Sequence, residues 1–89
     1  MKSILIGYDL NSTGQNYESL IEAIKEFGIW WHCLDSTWII KTSLTPEQIR
    51  DKLLLKIDAN DELLVVELVR NAAWYGFNKE CSDWLQNNL

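Results

Sequence analysis

Residues 29–42 read Ile-Trp-Trp-His-Cys-Leu-Asp-Ser-Thr-Trp-Ile-Ile-Lys-Thr, and the way this run divides decides the fold. It is rich in β-branched and aromatic residues, which suit a pleated, half-buried surface. It is long for a single strand. Leu34-Asp35-Ser36 is the place for a bend, bulge or tight turn, because Asp and Ser side chains bond their own backbone there. The run therefore divides into two strand segments, Ile29–Cys33 and Thr37–Thr42.

Working back toward the N-terminus, Tyr17, Leu20, Ile21, Ile24 and Phe27 form one apolar stripe at helical spacing. The spacing predicts a helix over Tyr17–Phe27, with Asn16 as N-cap and Gly28 as the residue that takes positive φ beyond its end. Before it, Lys2–Asp9 reads as a short buried strand through Ile4-Leu5-Ile6, followed by a polar loop from Leu10 to Gly14. Working forward, Thr45-Pro46-Glu47-Gln48 is a capping box with Pro at the first helical position. The helix it opens runs to about Ile57, with Ile49, Leu53, Leu54 and Ile57 facing inward. Asp58–Asp61 is a turn. Leu63–Val69 is a nearly continuous apolar run, as expected of a central strand. Ala73-Trp74-Tyr75 reads as a last short strand, and Asn78 caps a C-terminal helix with Cys81, Trp84, Leu85 and Leu89 on one face.

This order is β-α-β-(β)-α-β-(β)-α. It predicts an α+β domain: a ferredoxin-like α/β sandwich with a mostly antiparallel sheet, two helices on one face and a C-terminal helix. With 89 residues the chain is one domain. Hydrophobic residues make up 47% and charged residues 24%, a globular balance. No apolar run is long enough to span a membrane, and the start reads as a strand rather than a signal peptide. Cys33 and Cys81 form no CxxC pair and no disulfide framework, which predicts a reducing cytoplasm. Five Trp and an apolar C-terminal helix exceed what one helical layer needs, so a homodimer is expected to cover the other sheet face.

The net charge of −5 counts against broad, sequence-independent nucleic-acid binding. Asp9, at the end of the first strand, can help hold Mg²⁺ or Mn²⁺, an ion that needs further oxygen ligands or substrate phosphates. The plainer reading is that it bonds the N–H groups of the following loop. Trp30, Trp31, His32, Asp35, Ser36 and Trp38 are the densest chemical group. Asp35 facing His32 would orient the imidazole for acid–base work, although a Ser36–His32–Asp35 triad is too close along one strand. Trp30, Trp31, Trp38 and Trp74 would make a base-stacking platform. The plainer reading here is that the indoles pack a core or a dimer face. Structural-zinc spacing and a phosphate-binding Gly-rich turn are both missing.

These segments also resemble a known family. The strand ending Tyr8-Asp9-Leu10, the helix ending at Gly28, the run from Trp30 to Trp38 and Lys41-Thr42 before a Pro-led helix resemble the SinR-like family of small bacterial and phage proteins. In element order the chain is similar to the CRISPR-associated Cas-two family and its antitoxin relatives. That resemblance implies a ferredoxin-like homodimer, with Asp9 at the position of the strand-end Asp associated with metal-dependent nuclease activity. The chain departs from those relatives in its sparse basic residues and its Trp-rich segment.

Two functions are then in play. One is a dimeric binding or scaffold protein, taking a nucleotide or a partner protein at Trp30, Trp31, His32, Asp35, Ser36 and Trp38. The other is a nuclease acting on RNA or DNA, with paired Asp9 carboxylates holding Mg²⁺ or Mn²⁺ at a dimer seam and Ser12 or Thr13 touching phosphate.

Overall fold

The structure is a computed structural model and describes residues 1–12 and 17–89. The elements in chain order are β1 (Lys2–Asp9), α1 (Glu18–Lys25), β2 (Ile29–Leu34), β3 (Thr37–Thr42), α2 (Pro46–Leu53), a single 3₁₀ turn (Leu54–Lys56), β4 (Glu62–Leu68) and α3 (Lys79–Asn88). The four strands form one open sheet in the order β2-β3-β1-β4, with every neighbouring pair antiparallel. The described residues form an α+β fold with three α-helices.

The run over residues 29–42 is a tight hairpin, with Leu34 opposite Thr37 across the turn at Asp35 and Ser36. Its register shifts between Trp31 and Leu34, so the bulge expected near the turn lies inside β2. The capping box is formed: Gln48 N–H donates to Thr45 Oγ1 at 3.2 Å, and Thr45 N–H to Gln48 Oε1 at 3.0 Å. Gly28 has φ +110°, which L side chains rarely adopt, and so ends α1 as expected. The expected cap Asn16 lies outside the described residues; Tyr17 occupies the N-cap position of α1.

Side chains alternate across the sheet, and its two faces have different cover. Ile4, Ile6, Trp38 and Ile40 face α1 and α2, where they meet Leu20, Ile24, Ile49 and Leu53 in a fully buried core. Each such aliphatic contributes about 1.5–3 kcal/mol by leaving water. On the second face, Trp31 and Ile39 meet Leu85 of α3, with Trp74, Phe77, Trp84 and Leu89 around them. The second face is thus covered by the chain's own C-terminal segment, and the need that pointed to a homodimer is met within one molecule.

Four expectations are corrected. The run Leu63–Val69 lies in an edge strand, β4, not a central one: among the described residues it pairs only with β1, and Leu64 and Val66 are exposed. Its continuous apolar pattern combines Leu63 and Val65, packed against the helical core, with Leu64 and Val66 on a face left open. Ala73–Tyr75 forms no strand; the segment crosses the second face irregularly and leaves Tyr75 98% exposed. Leu54 faces solvent, because α2 tightens into the 3₁₀ turn there and the inward stripe loses its phase. Finally, Cys33 and Cys81 are joined in a disulfide with a Cα–Cα distance of 6.5 Å. This contradicts the reading of two unpaired thiols and removes the premise from which a reducing cytoplasm was argued.

Candidate functional site

The Trp-rich segment does not make one constellation, because alternation along β2 sends its side chains to opposite faces. Trp30 and His32 lie on the α1/α2 face. Trp31 lies under α3, is 4% exposed, and donates its indole N–H to the Cys81 backbone oxygen at 3.1 Å. It is a structural residue of the second core. Trp38 is 1% exposed and donates its indole N–H to Tyr8 Oη at 3.0 Å. It forms the floor of a small aromatic group rather than a surface in its own right.

That group is the best-formed candidate site. The His32 imidazole stacks on Trp38, with ring centroids 3.7 Å apart and planes 12° from parallel. Trp30 packs tilted against Trp38 at 5.3 Å and remains 40% exposed. Lys25, in the last turn of α1, places its ammonium 5.3 Å from the Trp30 ring. An ammonium over an indole face gains electrostatically from the ring quadrupole. The site therefore offers a half-exposed indole, a cation above it and an imidazole beside it. A groove of about 300 Å³ runs along the outer side of Trp30 and His32 to Asn78 and Trp84.

His32 Nε2 lies 3.0 Å from the backbone oxygen of Asp35. A carbonyl oxygen only accepts, so this contact requires the proton on Nε2. The partner is thus the hairpin backbone and not the Asp35 carboxylate, and the acid–base pairing expected of His32 and Asp35 is not formed. Asp35 and Ser36 are exposed at the turn, and Ser36 accepts the Tyr8 N–H on its backbone oxygen at 3.1 Å. Asp35 and Ser36 shape the turn that fixes His32.

Asp9 is exposed at the end of β1, directly across the ladder from Glu62. The loop N–H groups of residues 13 and 14 that its carboxylate was expected to bond lie outside the described residues. The described start of the loop is held by Asp61, which accepts the Asn11 N–H at 2.7 Å, the Asp58 N–H at 2.8 Å, and the Tyr17 hydroxyl at 2.7 and 2.8 Å on its two oxygens. Loss of hydration raises the Asp61 pKa, but these donors outweigh it and hold the carboxyl below its ordinary value. Loss of hydration, followed by the bond to Asp61, raises the Tyr17 phenol above its own. Ser12 Oγ donates to Asn60 Oδ1 at 2.7 Å, so it is engaged in the same knot. Thr13 lies outside the described residues.

The fit of a divalent cation follows from this geometry. Among the described residues, no three His, Cys, Asp or Glu side chains converge to hold a metal ion. Asp9 and Glu62 of one chain do not make a cage, and Mg²⁺ or Mn²⁺ at Asp9 would require ligands from a second copy or from substrate phosphates.

The sequence reading missed Tyr17, Lys25 and Asp61. Tyr17 and Asp61 are 44 residues apart, and no local pattern announces their bond. Lys25 had a weak signal, since a helix ending at Gly28 and a strand starting at Ile29 must bring the last helical turn beside the first strand residues. No family model, no curated protein and no solved structure matches this chain.

Proposed function

We propose that this chain is a binding or scaffold protein built on the ferredoxin-like arrangement, and that it takes a nucleotide against Trp30 on its outer strand. The observation that carries this reading is the half-exposed Trp30 indole with the Lys25 ammonium above it and His32 beside it. A base stacks on an indole face, and an ammonium displaced from that face pairs with the phosphate. The sheet order β2-β3-β1-β4 in a β-α-β-β-α-β chain supports the ferredoxin-like assignment, and with it the likeness to SinR-like and Cas-two proteins. The net charge of −5 favours a small ligand over a long polyanion.

The test is titration of tryptophan fluorescence with adenosine and uridine monophosphates. Saturable quenching is expected, and Trp30→Ala weakens it by about 5- to 150-fold, the equivalent of ~1–3 kcal/mol for one stacked base. Absence of saturable quenching overturns the nucleotide and leaves a protein partner to be sought at the same residues. Dimerisation belongs to the same proposal, through the unpaired β4 edge with its exposed Leu64 and Val66. A sedimentation mass of one chain at all concentrations overturns it.

The register of Asp9 opposite Glu62 favours a second reading, a metal-dependent nuclease assembled between two copies. Cleavage of labelled RNA or DNA in Mg²⁺ or Mn²⁺ that disappears in Asp9→Ala and with a chelator supports it. Cleavage that persists in Asp9→Ala removes Asp9 from the reaction. No described helix is long and apolar enough to cross a membrane. We propose a place in the cytoplasm on the likeness to SinR-like and Cas-two proteins; the cystine counts against it unless a reductant opens the bond there.

A further inference from the structure

We propose that Cys33–Cys81 is a thiol–disulfide exchange site, a clasp that a dithiol reductant opens to release α3 from the sheet. The inference is independent of the nucleotide reading and rests on three observations about the bond and its surroundings.

The first is placement. The bond ties β2, the outer strand, to the first turn of α3, with 48 residues between its ends. Without it, α3 hangs on residues 69–78, which form no helix or strand. Its remaining hold is one buried side chain, Leu85, with half-buried Trp84 and Leu89, and three backbone oxygens: that of Cys81, which accepts the Trp31 indole N–H, that of Gln86, which Arg70 reaches, and that of Asn88, which Ser3 Oγ and Lys41 Nζ reach. Cover over Trp31 and Ile39 depends on that helix staying in place.

The second is access. Cys33 and Cys81 are half-buried and form part of the wall of the groove of about 300 Å³ lined also by Trp30, His32, Asn78 and Trp84. A thiolate can approach the sulfurs from this groove without prior unfolding. The third is polarity. Cys81 is the third residue of α3, and its N–H donates to Asn78 Oδ1 at 2.9 Å in the N-cap. A helix N-terminus stabilises a thiolate, so Cys81 is the better leaving group and Cys33 the sulfur attacked.

The exchange balances as follows. One thiolate of the dithiol attacks Cys33 Sγ, the Cys33–Cys81 bond breaks, and Cys81 leaves with the electron pair and takes up a proton. The second thiol of the reductant then attacks the mixed disulfide at its own first sulfur and releases Cys33, which is protonated in turn. Two electrons and two protons pass to the protein, and the dithiol becomes a disulfide.

The experiment uses the full chain. The protein is treated with dithiothreitol under native conditions, its thiols are alkylated with iodoacetamide and counted by mass, and amide exchange is compared with and without reduction. Both cysteines are expected to be alkylated. Exchange at Leu85 and Leu89 of the C-terminal segment is expected to rise at least about tenfold, while Ile4 and Ile6 in β1 keep their rates. Cys33→Ser/Cys81→Ser without reductant is expected to reproduce that pattern. Resistance to native reduction overturns the exchange site. Reduction with unchanged α3 rates overturns the clasp. An equal rise in α3 and β1, or unfolding on reduction, makes the bond a staple of the whole fold and overturns the proposal as well. In the single variants, Cys81 in Cys33→Ser is expected to react faster with iodoacetamide than Cys33 in Cys81→Ser; the reverse order overturns the assigned polarity.

Discussion

Leu85→Ala tests whether α3, rather than a second copy of the chain, closes the second face of the sheet. Leu85 is 4% exposed and is the only fully covered side chain of α3. Truncating a buried Leu to Ala costs about 2–5 kcal/mol, the spread being set by the cavity left behind. Here the lower part of that range applies. An open groove of about 350 Å³, walled by Leu85 together with Leu5, Thr37, Trp74 and Leu89, already reaches the site. Water can enter the space, so the dry-cavity part of the cost is small and the lost transfer of the side chain dominates. The expected loss is ~2–3 kcal/mol. For a domain of this size, that lowers the melting midpoint by roughly 10–20 °C. The assay is urea unfolding of the oxidised protein, followed by far-UV circular dichroism at several protein concentrations. The midpoint is expected to fall with an unchanged slope, and by the same amount at every concentration. A loss under about 0.5 kcal/mol would mean that α3 does not rest on Trp31 and Ile39. A loss that shrinks as protein concentration rises would mean that a second copy shares the cover.

The remaining predictions address particular joints of the fold. Thr45→Ala removes one half of the capping box and is expected to cost about 1 kcal/mol in urea unfolding; an unchanged midpoint would detach that box from stability. Gly28→Ala meets no neighbouring atom within 4 Å, so its cost comes only from the φ of +110°, about 1–2 kcal/mol of backbone strain. A stabilised variant would contradict the left-handed end of α1. Asp61 titrates lower in the folded chain than in the unfolded one, so its contribution is present above the unfolded carboxyl pKa and is lost as pH falls through the folded value. Asp61→Asn is therefore expected to flatten the acid limb of stability against pH. An acid limb identical to wild type would remove the Tyr17–Asp61 knot from the acid response.

The legible parts of the chain were those whose signal is local. The capping box at Thr45–Gln48 needs only four adjacent residues, and the turn at Asp35–Ser36 needs only its own side chains, so both were readable. The apolar stripe of Cys81, Trp84, Leu85 and Leu89 was also readable, but its partner was not: an amphipathic helix shows that it must be covered and not by what. This is why the same residues pointed to a homodimer when the chain folds α3 back on its own sheet. The edge place of β4 was hidden for a related reason. Leu64 and Val66 are apolar yet exposed, so the strand looked central by composition. The candidate site divides along the same line. Period-2 alternation separates Trp30 and His32 from Trp31, which the sequence states once the strand is accepted. That alternation sends Cys33 to the face where Trp31 lies, and the stripe on α3 sends Cys81 to the same face. Taken together, the two inward positions would have paired the cysteines, whereas spacing along the chain, 48 residues, argued nothing. The pairing matters for function because it lies on the wall of the groove that begins at Trp30 and His32. Any ligand seated along that groove lies against the clasp, so binding at Trp30 and the state of the cystine are neighbours in space although their residues were read as unrelated.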